Sequence, residues 1–217
     1  MHFLCTEMYF VTRGNGAVEM IDGKGFSRVE LATHSALIFS PGTIHRLINP
    51  NRDMELLVIM QNSGLPERGD NVVCFRPEIM ASQEEYQNGM KVSSFAEAYA
   101  RRDKGVEGFL ELKAAFAEGL EVGRGALERF YHHANLRTAS LRPEWQGIIK
   151  QGSLAEANTS LAHLQQLNDN QLDFLDAAQQ FSIHPSDYNT PGFCGALNRY
   201  FDPATLELEG ILQKNDN

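Results

Sequence analysis

Between residues 7 and 60 the chain is cut into short apolar runs separated by turn residues, and no other feature restricts its fold as much. Glu7–Arg13 is followed by Gly14-Asn15-Gly16, then Ala17–Ile21, Asp22-Gly23-Lys24-Gly25 and Phe26–Leu31. Further runs lie at Ala36–Phe39, His45–Ile48 and Met54–Met60, and a last extended piece at Val72–Phe75. Asn-Gly and Asp-Gly between apolar runs are hairpin signals. A succession of antiparallel strands this short predicts a sandwich or barrel. Met8-Tyr9-Phe10-Val11 and Met54–Met60 are apolar on nearly both faces, so one face fills the interior and the other needs a helical layer or a second subunit over it.

Alternation along the first strand puts Glu7, Tyr9 and Val11 on one face, with Met8, Phe10 and Thr12 on the other. An inward carboxylate is costly to bury unpaired and therefore calls for a partner. His45 follows the Ser40-Pro41-Gly42-Thr43 turn and shares a face with Leu47 and Asn49. If these strands belong to one barrel, His2, Glu7 and His45 converge in a mostly apolar cavity. Two imidazoles and a carboxylate with open positions suit Fe(II), and also Mn, Ni, Cu or Zn. Tyr9 is a candidate substrate contact, though as a residue type it reads first as a core aromatic. Arg13 reads as a solvated strand end, and Cys5 as a small buried hydrophobe rather than a thiol at the metal.

These residues also carry a family resemblance. His2, four residues, Glu7, six residues and Gly14 match the first signature of the cupin superfamily, while Gly42, His45 and Asn49 fall in register with the second. His34 stands where that second signature has Gly, and Ser40 where it has Pro. The leading His of the first signature would fall one residue before Met1. Either the strands that precede it are missing from this sequence, or a later segment or neighbouring subunit replaces them, or the metal has fewer protein ligands. The α-amino group of Met1, whose ordinary pKa is about 8, is one further stand-in. The resemblance covers roughly residues 1–75. It implies a small jelly-roll β-barrel that holds a divalent ion (Fe, Mn, Zn or Ni) on His2, Glu7 and His45 and pairs into dimers. A small organic molecule would be its ligand, and oxygenation, isomerisation or lyase chemistry its reaction. A non-catalytic barrel that binds a metabolite or organises a dimer is the alternative.

After residue 76 the pattern changes. A polar connector covers Arg76-Pro77-Glu78 and Gln83–Gly89, and helical periodicity then takes over. Ser93-Ser94 with Glu97 predicts a capped helix through Arg102. Further helices are expected at Val106–Leu120, Leu127–Leu136, Trp145–Lys150, Leu154–Leu167 and Gln171–Phe181. His132 and His133 are adjacent and point about 100° apart on a helix, which is wrong for a shared metal. Tyr188–Phe201 reads as a loop that packs back on the barrel or closes over a pocket. The expected fold class is α+β: a cupin-type barrel at 1–76, then a connector and α-helical region at 77–217.

With 28 acidic and 19 basic residues the chain has a net charge of −9, which argues against nucleic acid as a partner and disfavours a sensor with a DNA-binding helical domain. No stretch approaches the ~20 apolar residues of a membrane span, and the opening residues lack the pattern of a signal peptide. Cys5, Cys74 and Cys194 are scattered and odd in number, as expected of reduced thiols in a cytoplasm.

Overall fold

The structure is a computed structural model that describes residues 1–62, 64–180, 182, 184–185, 187–193 and 195–200. Six strands occur where the sequence pattern places them: β1 (Glu7–Arg13), β2 (Gly16–Asp22), β3 (Gly25–Leu31), β4 (Ala36–Phe39), β5 (Ile44–Ile48) and β6 (Glu55–Met60). They form two antiparallel three-stranded sheets, ordered β4-β1-β6 and β3-β2-β5. Between the sheets lie Tyr9, Val11, Val18, Leu31 and Phe39. No ladder joins the sheets among the described residues, so the strands make an open sandwich and not a closed barrel. Val72–Phe75 is irregular and does not add a strand.

The turn signals divide by function. Asp22 to Gly25 makes the β2–β3 hairpin, with Asp22 Oδ1 accepting from the Lys24 amide at 2.7 Å. Gly14-Asn15-Gly16 makes no hairpin, because β1 and β2 belong to different sheets. Its glycines instead admit the turn before β6. A Cβ on Gly14, whose φ is +76°, would stand 2.7 Å from the Asp53 carbonyl, and one on Gly16 would stand 2.3 Å from that of Ile48.

Helices cover one side of the sandwich. The stretch read as a polar connector is already helical, as α1 (Pro77–Ala81) and α2 (Gln83–Met90). Next come α3 (Phe95–Glu118) and α4 (Leu120–Arg137), each longer than periodicity alone suggests; the two helices expected at 94–102 and 106–120 are one. Ser94 caps α3 by accepting from the Glu97 amide at 3.2 Å, and Glu97 accepts in return from the Ser93 amide at 2.6 Å. α5 (Arg142–Gln151) carries Pro143 in its first turn, where no amide hydrogen bond is lost, and α6 (Ser153–Asn168) follows. Of the helix expected at 171–181, only a 3-10 turn at Asp173–Ala177 forms; Phe181 lies outside the described residues.

Ile21 and Ile44, from the outer face of the second sheet, share a core with Phe109, Leu112, Leu127 and Phe130 of α3 and α4. Glu19 lies on that same face. It meets Arg46 at 2.6 Å, Arg28 at 3.4 Å and, across the helix interface, Lys113 at 3.7 Å. Trp145 of α5 donates from Nε1 to the Arg68 carbonyl at 2.7 Å and packs with Cys5 and Leu65.

Tyr188–Tyr200 is not a loop on the sandwich. It forms the hairpin β7 (Asp187–Pro191) and β8 (Ala196–Arg199), whose turn docks on α3. There Arg101 donates to the Gly192 carbonyl at 2.9 Å and stacks 4.0 Å above the Phe193 ring. Cys194 and residues 201–217 lie outside the described residues. The outward face of the first sheet has no helical cover among the described residues. On it, Met8 sits opposite Ile38 and Ile59, and Phe10 opposite Leu57. Ile38, Leu57 and Ile59 are 64%, 44% and 49% exposed.

Candidate metal centre

Each of the three donors expected from the sequence comes from a different part of the fold. Glu7 opens β1 in the first sheet and His45 lies on β5 in the second. His2 precedes any strand. Alternation sends Glu7 and Tyr9 inward, both buried, and His45 joins them across the sandwich with its ring 4.5 Å from that of Phe39.

The Oε2 atom of Glu7 lies 3.6 Å from Nε2 of His2 and 3.4 Å from Nε2 of His45. The two imidazole rings are 6.3 Å apart and tilted by 20°. All three side chains are enclosed, with exposures of 12%, 6% and 5% for His2, Glu7 and His45.

Both rings are oriented through Nδ1. That of His2 faces the Asp70 carbonyl, and that of His45 faces the Thr43 carbonyl at 3.1 Å. A ring nitrogen against a carbonyl oxygen must carry the proton, which leaves each Nε2 with a free lone pair directed toward Glu7. Burial and the nearby Met1 ammonium keep the imidazoles neutral, bringing His2 down to about 3 and His45 well below the usual histidine range. The contacts to Glu7 are therefore not ion pairs.

Glu7 is affected in the opposite sense. Burial raises its carboxyl to about 7, against the pull of the Met1 ammonium and a hydrogen bond from Tyr9. Its Oε2 is buried without a hydrogen-bond partner. Lone pairs of two nitrogens and one oxygen thus face a shared space, an arrangement that repels unless a positive centre lies between them. A proton can serve one pair, whereas a divalent cation serves all three.

Two donors each about 2.1 Å from one ion can be at most about 4.2 Å apart, and both distances to Glu7 meet that limit. The donor chemistry fits a first-row divalent ion, and rings fixed by Nδ1–H to carbonyl bonds are the usual support of histidine ligands. Even so, among the described residues no group of three or more His, Cys, Asp or Glu is arranged so that it could hold a metal ion.

Asp70 and Tyr131, which the sequence reading did not single out, position these donors together with Gly42 of the second signature. Asp70 is fully buried, and its carboxylate accepts from the amides of Phe3 at 2.7 Å and Leu4 at 3.1 Å while its carbonyl holds His2. Gly42 donates to the His2 carbonyl at 2.8 Å, and its own carbonyl accepts from the Tyr131 hydroxyl of α4 at 2.7 Å. Gly42 needs its glycine, with φ at +85°. Nothing local marks Asp70 or Tyr131, since each works through a contact more than 60 residues away.

The remaining candidates sort plainly. Tyr9 is 1% exposed, with its ring edge against Phe39 and His45, so it orients Glu7 from within the core. Cys5 is buried beside Leu65 and Trp145, and burial with the neighbouring Asp70 pushes its thiol upward, as for a core residue. Arg13 pairs with Glu55 at 2.9 Å in solvent. Asn49 accepts from the Met54 amide at 3.3 Å and shapes the turn before β6. The Met1 ammonium donates to the Val72 carbonyl at 3.0 Å, so this later segment braces the first residues without forming a strand.

No helix among the described residues is long and apolar enough to cross a membrane. No protein-family model, curated protein or solved structure matches the chain.

Proposed function

We propose that the chain is a cupin-type metalloprotein that holds a divalent ion (Fe, Mn, Zn or Ni) on His2, Glu7 and His45 and binds or acts on a small organic molecule. The observation that carries this reading is the buried, unpartnered Oε2 of Glu7 between two Nε2 lone pairs directed toward it. The two facing sheets and the positions of Glu7 and His45 within them support a jelly-roll relationship, with the sandwich as its open form.

A bound ion would polarise a substrate oxygen or activate water or dioxygen, chemistry that can serve oxygenation, isomerisation or lyase reactions. The chain's own residues do the rest. Asp70 and Thr43 hold the two rings, Tyr9 orients the carboxylate, and Phe39 excludes water beside His45.

Protein purified without chelator should contain one divalent ion per chain, and titration with Mn(II), Fe(II), Ni(II) or Zn(II) should saturate at that ratio. The double variant Glu7→Ala His45→Ala should bind none. Equal metal content in both proteins sinks the reading.

A second reading, a barrel without catalysis that binds a metabolite or organises a dimer, is favoured by the enclosure of all three donors. Stoichiometric metal without any turnover of candidate substrates would select it. The apolar face of β4-β1-β6, uncovered among the described residues, supports a homodimer under either reading.

A further inference from the structure

The helix α6 is turned inside out. None of its 16 residues is buried, and Leu154, Leu161, Leu164 and Leu167 are 48%, 64%, 54% and 48% exposed. Its half-buried residues are Ala155, His163 and Gln166, on the other side of the helix, where the His163 ring stacks on Phe174 at 4.2 Å. An amphipathic helix ordinarily turns its apolar stripe to the core. Here the small and polar side is turned inward and the leucines outward. A helix this short draws most of its stability from a packed apolar face, so a leucine stripe with no cover among the described residues calls for one.

Two features indicate what covers it. Leu154, Ala157, Leu161 and Leu164 are spaced by three and four residues, which is the seam of a two-helix coil. Run antiparallel to a copy of itself, the seam places Leu154 against Leu164 and Ala157 against Leu161, small residue against large. Run parallel, it sets Ala157 against Ala157 and leaves a gap. The charges agree with the antiparallel arrangement. Only Glu156 and His163 are ionisable within α6, so two chains of net charge −9 can approach here with little repulsion. Exposed Lys150 lies just before the helix, and exposed Asp169 and Asp173 lie just after it. An antiparallel copy therefore brings the cation of each chain to the acidic end of the other, whereas a parallel copy brings Asp169 to Asp169.

We infer that α6 binds α6 of a second copy of the chain, antiparallel, about a two-fold axis level with Thr159. The contact is separate from the uncovered face of β4-β1-β6 and uses no residue of the metal centre. Four seam residues a side fall short of the roughly 1,200 Å2 at which stable interfaces begin, so the pairing is weak and shows at high protein concentration.

Sedimentation equilibrium of the full chain carrying Ile38→Lys, which removes pairing through the first sheet, tests the inference. That protein should be a monomer at about 10 μM and a dimer at about 1 mM. Adding Leu161→Lys should weaken the association by at least about tenfold with the fold retained by circular dichroism. Thr159→Lys, which puts the same charge on the opposite side of the helix, should leave it unchanged. Lys150→Asp and Asp169→Lys should each weaken it about threefold, and the two together should restore it. Within one chain these residues stand a helix length apart, roughly 24 Å for 16 residues, so only pairing between chains couples them. A monomer at the higher concentration overturns the inference and leaves the leucine stripe to another partner. Association that survives Leu161→Lys, falls equally with Thr159→Lys, or stays weak after the charge exchange overturns it too.

Discussion

Glu7 and Glu19 are both buried carboxylates, and their surroundings oppose one another. Glu7 faces two neutral imidazoles through an unpartnered oxygen, whereas Glu19 is ringed by Arg46, Arg28 and Lys113. Removing charge should therefore have opposite effects. Glu7→Gln is expected to raise the melting temperature of chelator-treated protein, by relieving about 1–2 kcal/mol of uncompensated burial, while abolishing metal uptake. Differential scanning calorimetry with and without Zn(II) checks both halves. Glu19→Gln is expected to destabilise by about 3 kcal/mol at neutral pH, because Arg46 loses its partner at a helix–sheet interface. Burial works to raise the Glu19 carboxyl, but the Arg46 hydrogen bond and the Arg46 and Lys113 charges outweigh it and hold the group below 4.5. A carboxyl depressed in the folded state contributes fully above its unfolded value and loses that contribution as pH falls through the folded one. The stability gap between the native chain and Glu19→Gln should accordingly close in acid, below about pH 4.5; urea titrations across pH 3–7 that show a constant gap would refute this.

At the level of elements, the helical layer both covers and positions. α4 reaches the turn before His45 through one hydrogen bond, Tyr131 to Gly42, while α3 locks onto the same sheet through Lys113 and Phe109. Two hydrogen-bond deletions of similar size should then separate in function. Tyr131→Phe should cost about 1 kcal/mol and lower metal affinity, because the turn that sets His45 and anchors the His2 carbonyl loosens. Ser94→Ala should cost about 1 kcal/mol through lost capping of α3 and leave metal affinity unchanged. Equal effects of the two on Zn(II) affinity would show that α4 has no part in the site. The β7–β8 hairpin adds a similar clamp elsewhere, holding α3 through Arg101.

Across the whole molecule, the two sheets are treated unequally. The outer face of β3-β2-β5 is buried under α3 and α4, and that of β4-β1-β6 is left with Ile38, Leu57 and Ile59 in solvent. Strands that are apolar on both faces need two coverings, and a single helical layer provides one. If a second copy provides the other, Ile38→Lys should convert a dimer to a monomer in analytical ultracentrifugation, with little change in unfolding of the monomer itself. A chain that is already monomeric at high concentration rules out pairing through this face.

Strand positions, the Asp22–Gly25 hairpin, the Ser94 cap and the inward direction of Glu7 were all legible in the sequence, because alternation, turn chemistry and capping act between residues a few positions apart. The same local signals misassign Gly14–Gly16 as a hairpin, since those glycines answer to the distant Asp53 and Ile48 carbonyls. They also divide α3 in two and take α2 for a connector, because packing against the core extends helices beyond their own periodicity. His2, Glu7 and His45 could be named from the chain alone, and the pattern predicts their meeting only on the condition that their strands pack together. That meeting depends on two separate sheets facing each other, on Asp70 holding the first residues, and on Tyr131 holding the turn before His45. Those contacts span tens of residues, and a one-dimensional pattern carries no record of which groups will close across such distances. Only the packed structure decides that, and with it leaves, among the described residues, the sandwich open and one apolar face without cover.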